Sequence, residues 1–327
     1  MFDLTAKRII AISKKIMPNF FKMFSSLIWI ISLLAIGVQA QSMKVTLLGT
    51  GAPAPVMDRF GPSILVEAGD QKLIFDVGRG AIQRLTKIKV KPKDITGVFF
   101  THLHSDHVVG FPDLWLTGWV NGGRDTHVRV WGPKGTEKMM SYLEQAFDFD
   151  IKIRLYDDHA SPDGVIIEAK DIVEGIVYEK SGVTVTAFEV DHGAIKPAFG
   201  YRIDYAGHSV VLSGDTKPSE NLIKYALGTD LLIHEVVSPE AFKRADYPDE
   251  RIKTIVNHHT TPEQASEVFA RVKPKMVVFS HIVPPPTTEQ DILPLVRKTY
   301  SGPLELGEDL MVINVGEKIE IRRPVRL

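Results

Sequence analysis

Residues 97–107 read Gly-Val-Phe-Phe-Thr-His-Leu-His-Ser-Asp-His, an apolar run that leads directly into three histidines and an aspartate. The run predicts a buried strand, and loops at strand ends are where binding residues are usually displayed. The chain has only 11 histidines among its 327 residues. An isolated histidine is usually a hydrogen-bonded structural residue, but burying this many polar groups together is costly unless a ligand satisfies them. The stretch therefore predicts a metal site.

The spacing within this stretch suits two cations. The imidazoles of His102 and His104 can point the same way and share one cation, while Asp106 and His107 offer a carboxylate and an imidazole to a second. Nitrogen and oxygen ligands without sulfur suit zinc, and also iron or manganese. Two cations need further ligands, and three candidates follow other apolar runs: His192, Asp215 and His281. A carboxylate is the natural bridge between cations about 3.5–4 Å apart, and Asp215 is the candidate.

The first forty residues differ from the rest of the chain. Five basic residues precede an apolar stretch from about Leu27 to Val38, which ends in Val38-Gln39-Ala40. This pattern is typical of a cleaved signal peptide. The alternative is an uncleaved membrane anchor, but the apolar stretch falls short of the roughly 20 residues that a spanning helix needs. We therefore expect residues 1–40 to be a signal, residues 41–327 to form one hydrolase domain without a stable membrane anchor, and the location to be periplasmic or secreted.

The composition places limits on the partners. Removing residues 1–40 takes away five basic groups and one acidic group, which changes the formal charge from −1 to −5. Binding to nucleic acid normally needs a cationic surface, so this charge argues against a nucleic-acid partner. The chain has no cysteine, which excludes disulfides and thiolate metal sites.

Short β-branched runs alternate with helical patterns along the rest of the chain, which predicts a layered α/β fold. Strands are predicted at Met43–Leu48, Ser63–Ala68, Lys72–Phe75, Gly97–Phe100, Val183–Val190, Ala198–Tyr205, His208–Leu212, Leu231–His234 and Met276–Ser280. Helices are predicted at Gly80–Leu85, Pro133–Phe147 and Thr261–Arg271. Trp115 and Trp119 follow the histidine-rich loop, where they could wall a pocket for an aromatic leaving group or pack in the core of a helical layer.

The ordered set His-x-His-x-Asp-His (102–107), His192, Asp215 and His281 resembles the metallo-β-lactamase superfamily. The resemblance covers most of residues 43–320. It implies an α/β fold, the metallo-β-lactamase-like αβ/βα four-layer sandwich of two mixed β-sheets, with two Zn²⁺ ions per chain at one edge. It also implies that His102, His104 and His192 hold one ion, that Asp106, His107 and His281 hold the other, and that Asp215 bridges them. Mn²⁺ or Fe²⁺ are alternatives.

Further motifs make the chain similar to the branch that contains ribonuclease Z and a group of exported arylsulfatases. They are Gly49-Thr-Gly-Ala-Pro53, Phe75-Asp-Val-Gly78, Ser213-Gly-Asp-Thr216, Ile233-His-Glu235 and His259-Thr-Thr-Pro-Glu-Gln-Ala265. The resemblance implies catalytic roles for three residues. Asp106 would orient a metal-bridging hydroxide, His259 would act on an ester oxygen, and Glu235 would orient His259. His258 is the alternative to His259, and Asp76 is expected to orient a ligand histidine unless it is a plain turn residue.

The activity predicted from the sequence is hydrolysis of small aryl sulfate esters by an exported dizinc enzyme. Ribonuclease Z proteins usually carry a basic arm that grips tRNA, whereas residues 144–180 here carry ten acidic and four basic residues. A segment with that charge would repel RNA. A zinc phosphodiesterase or tRNA 3′-end endonuclease of the ribonuclease Z type is the alternative, and a non-catalytic metal-binding scaffold is the third. The resemblance also carries an expectation of a homodimer.

Overall fold

The structure is a computed structural model that describes residues 42–324, so the predicted signal of residues 1–40 lies outside the described residues. In chain order the strands are β1 (Met43–Gly49), β2 (Ser63–Ala68), β3 (Gln71–Phe75), β4 (Gly97–Phe99), β5 (Val128–Gly132), β6 (Ile167–Asp171), β7 (Gly175–Lys180), β8 (Val183–Glu189), β9 (Phe199–Tyr205), β10 (His208–Leu212), β11 (Leu231–Val237), β12 (Met276–Val283), β13 (Leu304–Leu306), β14 (Val312–Val315) and β15 (Ile319–Arg322).

The α-helices lie between these strands. They are α1 (Ala81–Lys87), α2 (Ser105–Val108), α3 (Phe111–Val120), α4 (Thr136–Ala146), α5 (Asp148–Tyr156), α6 (Glu220–Ala226), α7 (Pro239–Arg244), α8 (Asp249–Val256), α9 (Pro262–Val272) and α10 (Glu289–Val296). Short 3₁₀ turns occupy Pro92–Asp94 and Asp163–Val165. None of the helices within residues 42–324 has the length and apolar character needed to cross a membrane.

The strands form two mixed sheets. The first sheet has the order β15-β14-β1-β2-β3-β4-β5-β6, and the second has the order β13-β12-β11-β10-β9-β8-β7. Strands β3 to β6 of the first sheet pair in parallel, as do β10 to β13 of the second, and the remaining pairs are antiparallel. In each sheet, therefore, several strands end at the same edge, which is where loops can bring side chains from distant parts of the chain together.

Apolar side chains hold the layers together. One core cluster joins the two sheets, with Phe75 and Phe99 of the first sheet facing Tyr201 of the second. A second cluster packs β10 to β13 against α6, α9 and α10, and a third packs the first sheet against α1, α3 and α4. The layers therefore run helix, sheet, sheet, helix, and the predicted α/β four-layer sandwich is confirmed.

Several predictions about elements need correction. The region predicted as a helix at Pro133–Phe147 contains α4, and a second helix, α5, follows it in the acidic segment. Trp115 and Trp119 are fully buried in or beside the helical layer, and their indole N–H groups donate to the carbonyls of Val165 and Ser161. The aromatic leaving-group pocket is therefore wrong, and the core-packing alternative is correct.

Candidate metal centre

Six of the seven predicted ligands lie just beyond the ends of strands in the two sheets. His102, His104, Asp106 and His107 follow β4, His192 follows β8, and Asp215 follows β10. His281 lies inside β12, which extends beyond the predicted Ser280. Strand β11 pairs His234 with Phe279 and Val236 with Ile282, so Ser280 and His281 together face Glu235 across a β-bulge. The bulge gives His281 a left-handed φ of +44° and directs its imidazole toward the cluster.

The structure brings all seven predicted ligands into one cluster around Asp215. Its Oδ2 atom lies 3.4 Å from Nε2 of His107 and of His281, and 3.9 Å from Nε2 of His102 and of His192. The side chains fall into three groups, and within each group the ligand atoms lie within 4.8 Å of one another: His102, His104, His192 and Asp215; Asp106, His107 and His281; and Asp215, His259 and His281. Asp215 belongs to the first and third groups and lies 3.4 Å from His107 of the second, as a bridging ligand would.

These distances suit shared cations better than direct hydrogen bonds. A tetrahedral ion with bonds of about 2.0–2.1 Å holds its ligand atoms about 3.4 Å apart. The observed separations of 3.4 to 3.9 Å from Asp215 lie near that value. In addition, Nε2 of His102 and Nε2 of His107 are buried without a hydrogen-bond partner among residues 42–324. Buried polar atoms are rarely left without a partner, so the donor set fits a divalent metal.

Neighbouring groups fix how the ligand imidazoles face. Nδ1 of His107 donates to the Asp76 carboxylate at 2.7 Å, and Nδ1 of His192 donates to the backbone carbonyl of His258 at 2.8 Å. Asp76 also accepts from the backbone N–H and the hydroxyl of Thr101, each at 2.8 Å. Because Nδ1 is occupied in both imidazoles, Nε2 is left with its lone pair toward the cluster, which is the arrangement a metal ligand needs.

The electrostatics favour the ligand forms of His102 and Asp215. Burial lowers the pKa of His102 well below its usual range, which leaves the imidazole neutral. Burial alone would raise the pKa of Asp215, but His281 and His107 outweigh it and hold that pKa well below its usual range. A neutral imidazole and an ionised carboxylate are the forms that bind metal. For His107, burial lowers the pKa, but the Asp215 and Asp76 carboxylates outweigh it and raise that pKa well above its usual range, so a metal ion bound there would displace a proton.

His259 and Glu235 lie beside the cluster. Nδ1 of His259 is 3.3 Å from Oε1 of Glu235, and the same oxygen accepts from the backbone N–H groups of Thr260 and Thr216. Burial lowers the pKa of His259, but the Glu235 carboxylate outweighs this and raises it to about 9. The His259 ring stacks 5.7 Å from the His281 ring, whereas His258 supplies its backbone carbonyl to His192. This geometry favours His259 over His258 as the proton donor.

A cavity of about 230 Å³ opens above the cluster. His104, Asp106, His192, Asp215, His259 and His281 form its base, and Pro284 and Pro285 lie at its rim. The wall comes from α7, α8 and the loop between them, through Phe242, Tyr247, Arg251 and Ile255. The sequence reasoning missed this wall. The N-cap candidate Ser238 followed by Pro239, and Pro248 followed by two acidic residues, are helix-start signals that mark it.

Comparisons with known proteins identify the relatives. A family described as Beta-lactamase superfamily domain matches residues 64–282. Proteins named ribonuclease Z from Mycolicibacterium gilvum and Mycobacterium bovis are each 36% identical over 279 residues, which is 84% of this chain and 96% and 98% of theirs. Among solved structures, human tRNase Z, short form, superposes with a TM-score of 0.62 at 22% identity and covers 83% of this chain and 99% of its own.

These relatives overturn the activity predicted from the sequence. Similar proteins are named ribonuclease Z, so the prediction of a sulfate-ester hydrolase is wrong. The glycine-rich turn and the His-Glu element fit both activities, which left the charge of residues 144–180 and the predicted export to decide between them. The acidic segment misled because none of residues 144–180 lines the cavity over the ligand cluster, so the charge of the segment does not describe the site. The expectation that a nucleic-acid partner is unlikely conflicts with the names of these relatives.

Human tRNase Z and the metallo-β-lactamase-fold protein YhfI from Bacillus subtilis, with a TM-score of 0.63 at 17% identity, share the fold of this chain. The cluster of histidines and aspartates is compatible with a divalent metal site. The protein is a metal-dependent hydrolase that acts on ester bonds. With the family matched across residues 64–282 and the relatives across most of its length, the chain belongs to the metallo-β-lactamase superfamily, in the branch of the ribonuclease Z proteins.

Proposed function

We propose that this protein is an RNA phosphodiesterase of the ribonuclease Z type, which cleaves precursor tRNA near its 3′ end. The observation that carries the proposal is the seven-ligand cluster beneath an open cavity, with His259 and Glu235 beside it, in a chain 36% identical to proteins of that name. A non-catalytic scaffold would have no need of a buried histidine whose pKa is raised to about 9 by a neighbouring carboxylate.

The residues present would hold two divalent ions, with zinc as the expected metal. His102, His104 and His192 would hold one, Asp106, His107 and His281 would hold the other, and Asp215 would bridge them. When bound, the ions would supply Lewis acidity toward the phosphoryl oxygens and a water nucleophile at neutral pH. Asp106 lies 3.4 Å from Nε2 of His281, on the cavity side of the cluster, where its carboxylate can also orient the attacking water.

His259 is the proposed general acid. It lines the cavity, its side chain is 11% exposed, and the Glu235 carboxylate favours its protonated form. As the attacking oxygen forms its bond to phosphorus, the bond to the ribose oxygen breaks, and His259 donates its proton to that departing oxygen. Two backbone N–H groups donate to the Glu235 carboxylate, which compensates the charge on the imidazolium.

The test is turnover of two substrates by purified, zinc-loaded protein. A precursor tRNA with a short 3′ trailer should be cleaved near its mature end, and bis-p-nitrophenyl phosphate should release p-nitrophenol, both sensitive to a chelator. Cleavage of the small diester alone would contradict the RNA substrate. If protein that carries metal cleaves neither substrate, the proposal that it is a phosphodiesterase is contradicted.

A further inference from the structure

The wall of the cavity contains aromatic and cationic side chains that are not metal ligands. Phe242 of α7 is buried in a satellite core with Val237, Ile252 and Val283, so the wall is held by apolar packing. Tyr247, in the loop between α7 and α8, meets the Phe242 ring at 4.9 Å and 74°, an edge-to-face contact. The packing of Phe242 restricts the orientation of the tyrosine ring, which is half-buried and lines the cavity.

Arg251 supplies positive charge to the same wall. Its guanidinium carbon lies 5.3 Å from the centre of the Tyr247 ring, and the side chain is exposed. Within the part of the chain that the structure describes, no carboxylate lies at ion-pairing distance from Arg251, although most other arginines there have such a partner. Apart from the histidines and the two ligand carboxylates, Arg251 is the charged group in the cavity lining. A guanidinium in this position is suited to binding a phosphate, since its N–H groups match phosphate oxygens in pairs.

An aromatic ring beside a cation is the combination that binds single-stranded nucleic acid. The ring stacks on a base whatever its identity, and the cation contacts the backbone. Here both groups line the cavity whose base would hold the scissile phosphate. The apolar residues Phe242 and Ile255 would exclude water around a stacked base. A simple diester has a single phosphate, which the ligand cluster would bind, so it offers no second phosphate to Arg251.

We propose that Tyr247 and Arg251 form a nucleotide subsite, in which Tyr247 stacks on the base next to the scissile bond and Arg251 binds the flanking phosphate. The inference rests on the proposed phosphodiesterase function and deepens it. The subsite makes the enzyme prefer a chain of nucleotides over an isolated diester, and it lies on the α7–α8 wall, apart from the metal ligands.

The test compares variants of the zinc-loaded protein on precursor tRNA and on bis-p-nitrophenyl phosphate. Tyr247→Leu and Arg251→Gln should each lower the ratio of kcat/KM for RNA to kcat/KM for the small diester by about 10-fold. Tyr247→Phe keeps the ring and should restore the wild-type ratio. For Arg251→Gln, the slope of log kcat/KM for RNA against log salt should become shallower by about 0.7, as the loss of one phosphate contact predicts.

Lys253→Gln is the matched control, because it removes the same charge from an exposed position of α8 that does not line the cavity. It should leave the ratio and the salt dependence at their wild-type values. If Arg251→Gln and Lys253→Gln behave alike, or if Tyr247→Leu lowers turnover of both substrates equally, the subsite is wrong while the phosphodiesterase function stands. If the wild-type protein cleaves neither substrate, the proposed function itself has failed.

Discussion

At the residue scale, the site depends on the side chains that orient the predicted metal ligands as well as on the ligands themselves. Asp76 has a left-handed φ of +57° and joins the Thr101 backbone to Nδ1 of His107. The sequence allowed Asp76 to be predicted as an orienting group because it follows a strand. Thr101 could not be recognised, because its role depends on a contact between residues that are 25 positions apart. The ligands were recognisable because their chemistry is unusual wherever they occur.

His259→Ala should separate metal binding from catalysis. We expect metal content to stay near that of the wild-type protein and turnover of bis-p-nitrophenyl phosphate to fall by about 10²-fold or more, as the loss of a general acid usually causes. Metal analysis and steady-state kinetics on the same sample measure both. His258→Ala is the control and should have a smaller effect, since its contact with His192 uses the backbone. Loss of metal from His259→Ala would show that His259 is a ligand.

Glu235→Gln should change the pH dependence of RNA cleavage. The Glu235 carboxylate raises the pKa of His259 to about 9, so the acid form persists up to that pH. Removing the charge lowers this pKa, and activity that needs protonated His259 should then decline at a lower pH. A profile of kcat/KM from pH 6 to 10 measures the shift of the alkaline limb. An alkaline limb at the same pH in both proteins would contradict the pairing of Glu235 with His259.

At the element scale, the site results from where strands stop. Runs such as Ser63–Ala68 and His208–Leu212 match the observed strands because alternation and β-branched residues mark them. Strand β12 was predicted to end at Ser280, but it continues through the bulge at His281, which depends on pairing with β11 and leaves no local pattern. Helices α7 and α8 were missed because tertiary packing on a small satellite core, rather than a long amphipathic pattern, stabilises them.

Gly78→Ala should disturb the loop that carries the ligands. A Cβ atom at Gly78 would lie 2.4 Å from the carbonyl carbon of Gly61 and 2.7 Å from the backbone oxygen of Asp106. We expect a loss of about 1–3 kcal/mol in the free energy of unfolding, with weaker metal retention, because backbone must shift on both sides. Denaturant unfolding and metal analysis measure the two effects. Gly316→Ala, whose nearest contact is a side-chain atom of Ser42 at 3.3 Å, is the control. Equal stability losses would contradict the argument.

At the scale of the whole molecule, net charge was a poor guide to the substrate. A formal charge averages over the surface, whereas recognition depends on the groups that line one cavity, where Arg251 faces the base formed by the ligand cluster. The fold class could be predicted because the ligand order is specific to one superfamily. Export, the homodimer and the limits of the hydrolase domain stay predictions. Export would also determine which RNA the enzyme meets, because precursor tRNA is a cytosolic substrate.

Removal of residues 1–40 tests the predicted organisation of the chain. All seven predicted ligands, together with His259 and Glu235, lie within residues 42–324. A chain that begins at Gln41 should therefore keep the metal content and the phosphodiesterase turnover of the full chain. Parallel metal analysis and kinetics provide the comparison. Loss of metal or activity on truncation would mean that the first forty residues contribute to the folded hydrolase.

The metal titration of chelator-stripped protein tests the central claim most directly. Phosphodiesterase activity is measured while zinc is added in known equivalents and bound zinc is counted. Seven ligands arranged in two groups around Asp215 predict binding that saturates at two ions per chain, with full activity reached only as the second ion binds. Saturation at a single ion, or diester hydrolysis by the metal-free protein, would contradict a two-metal phosphodiesterase.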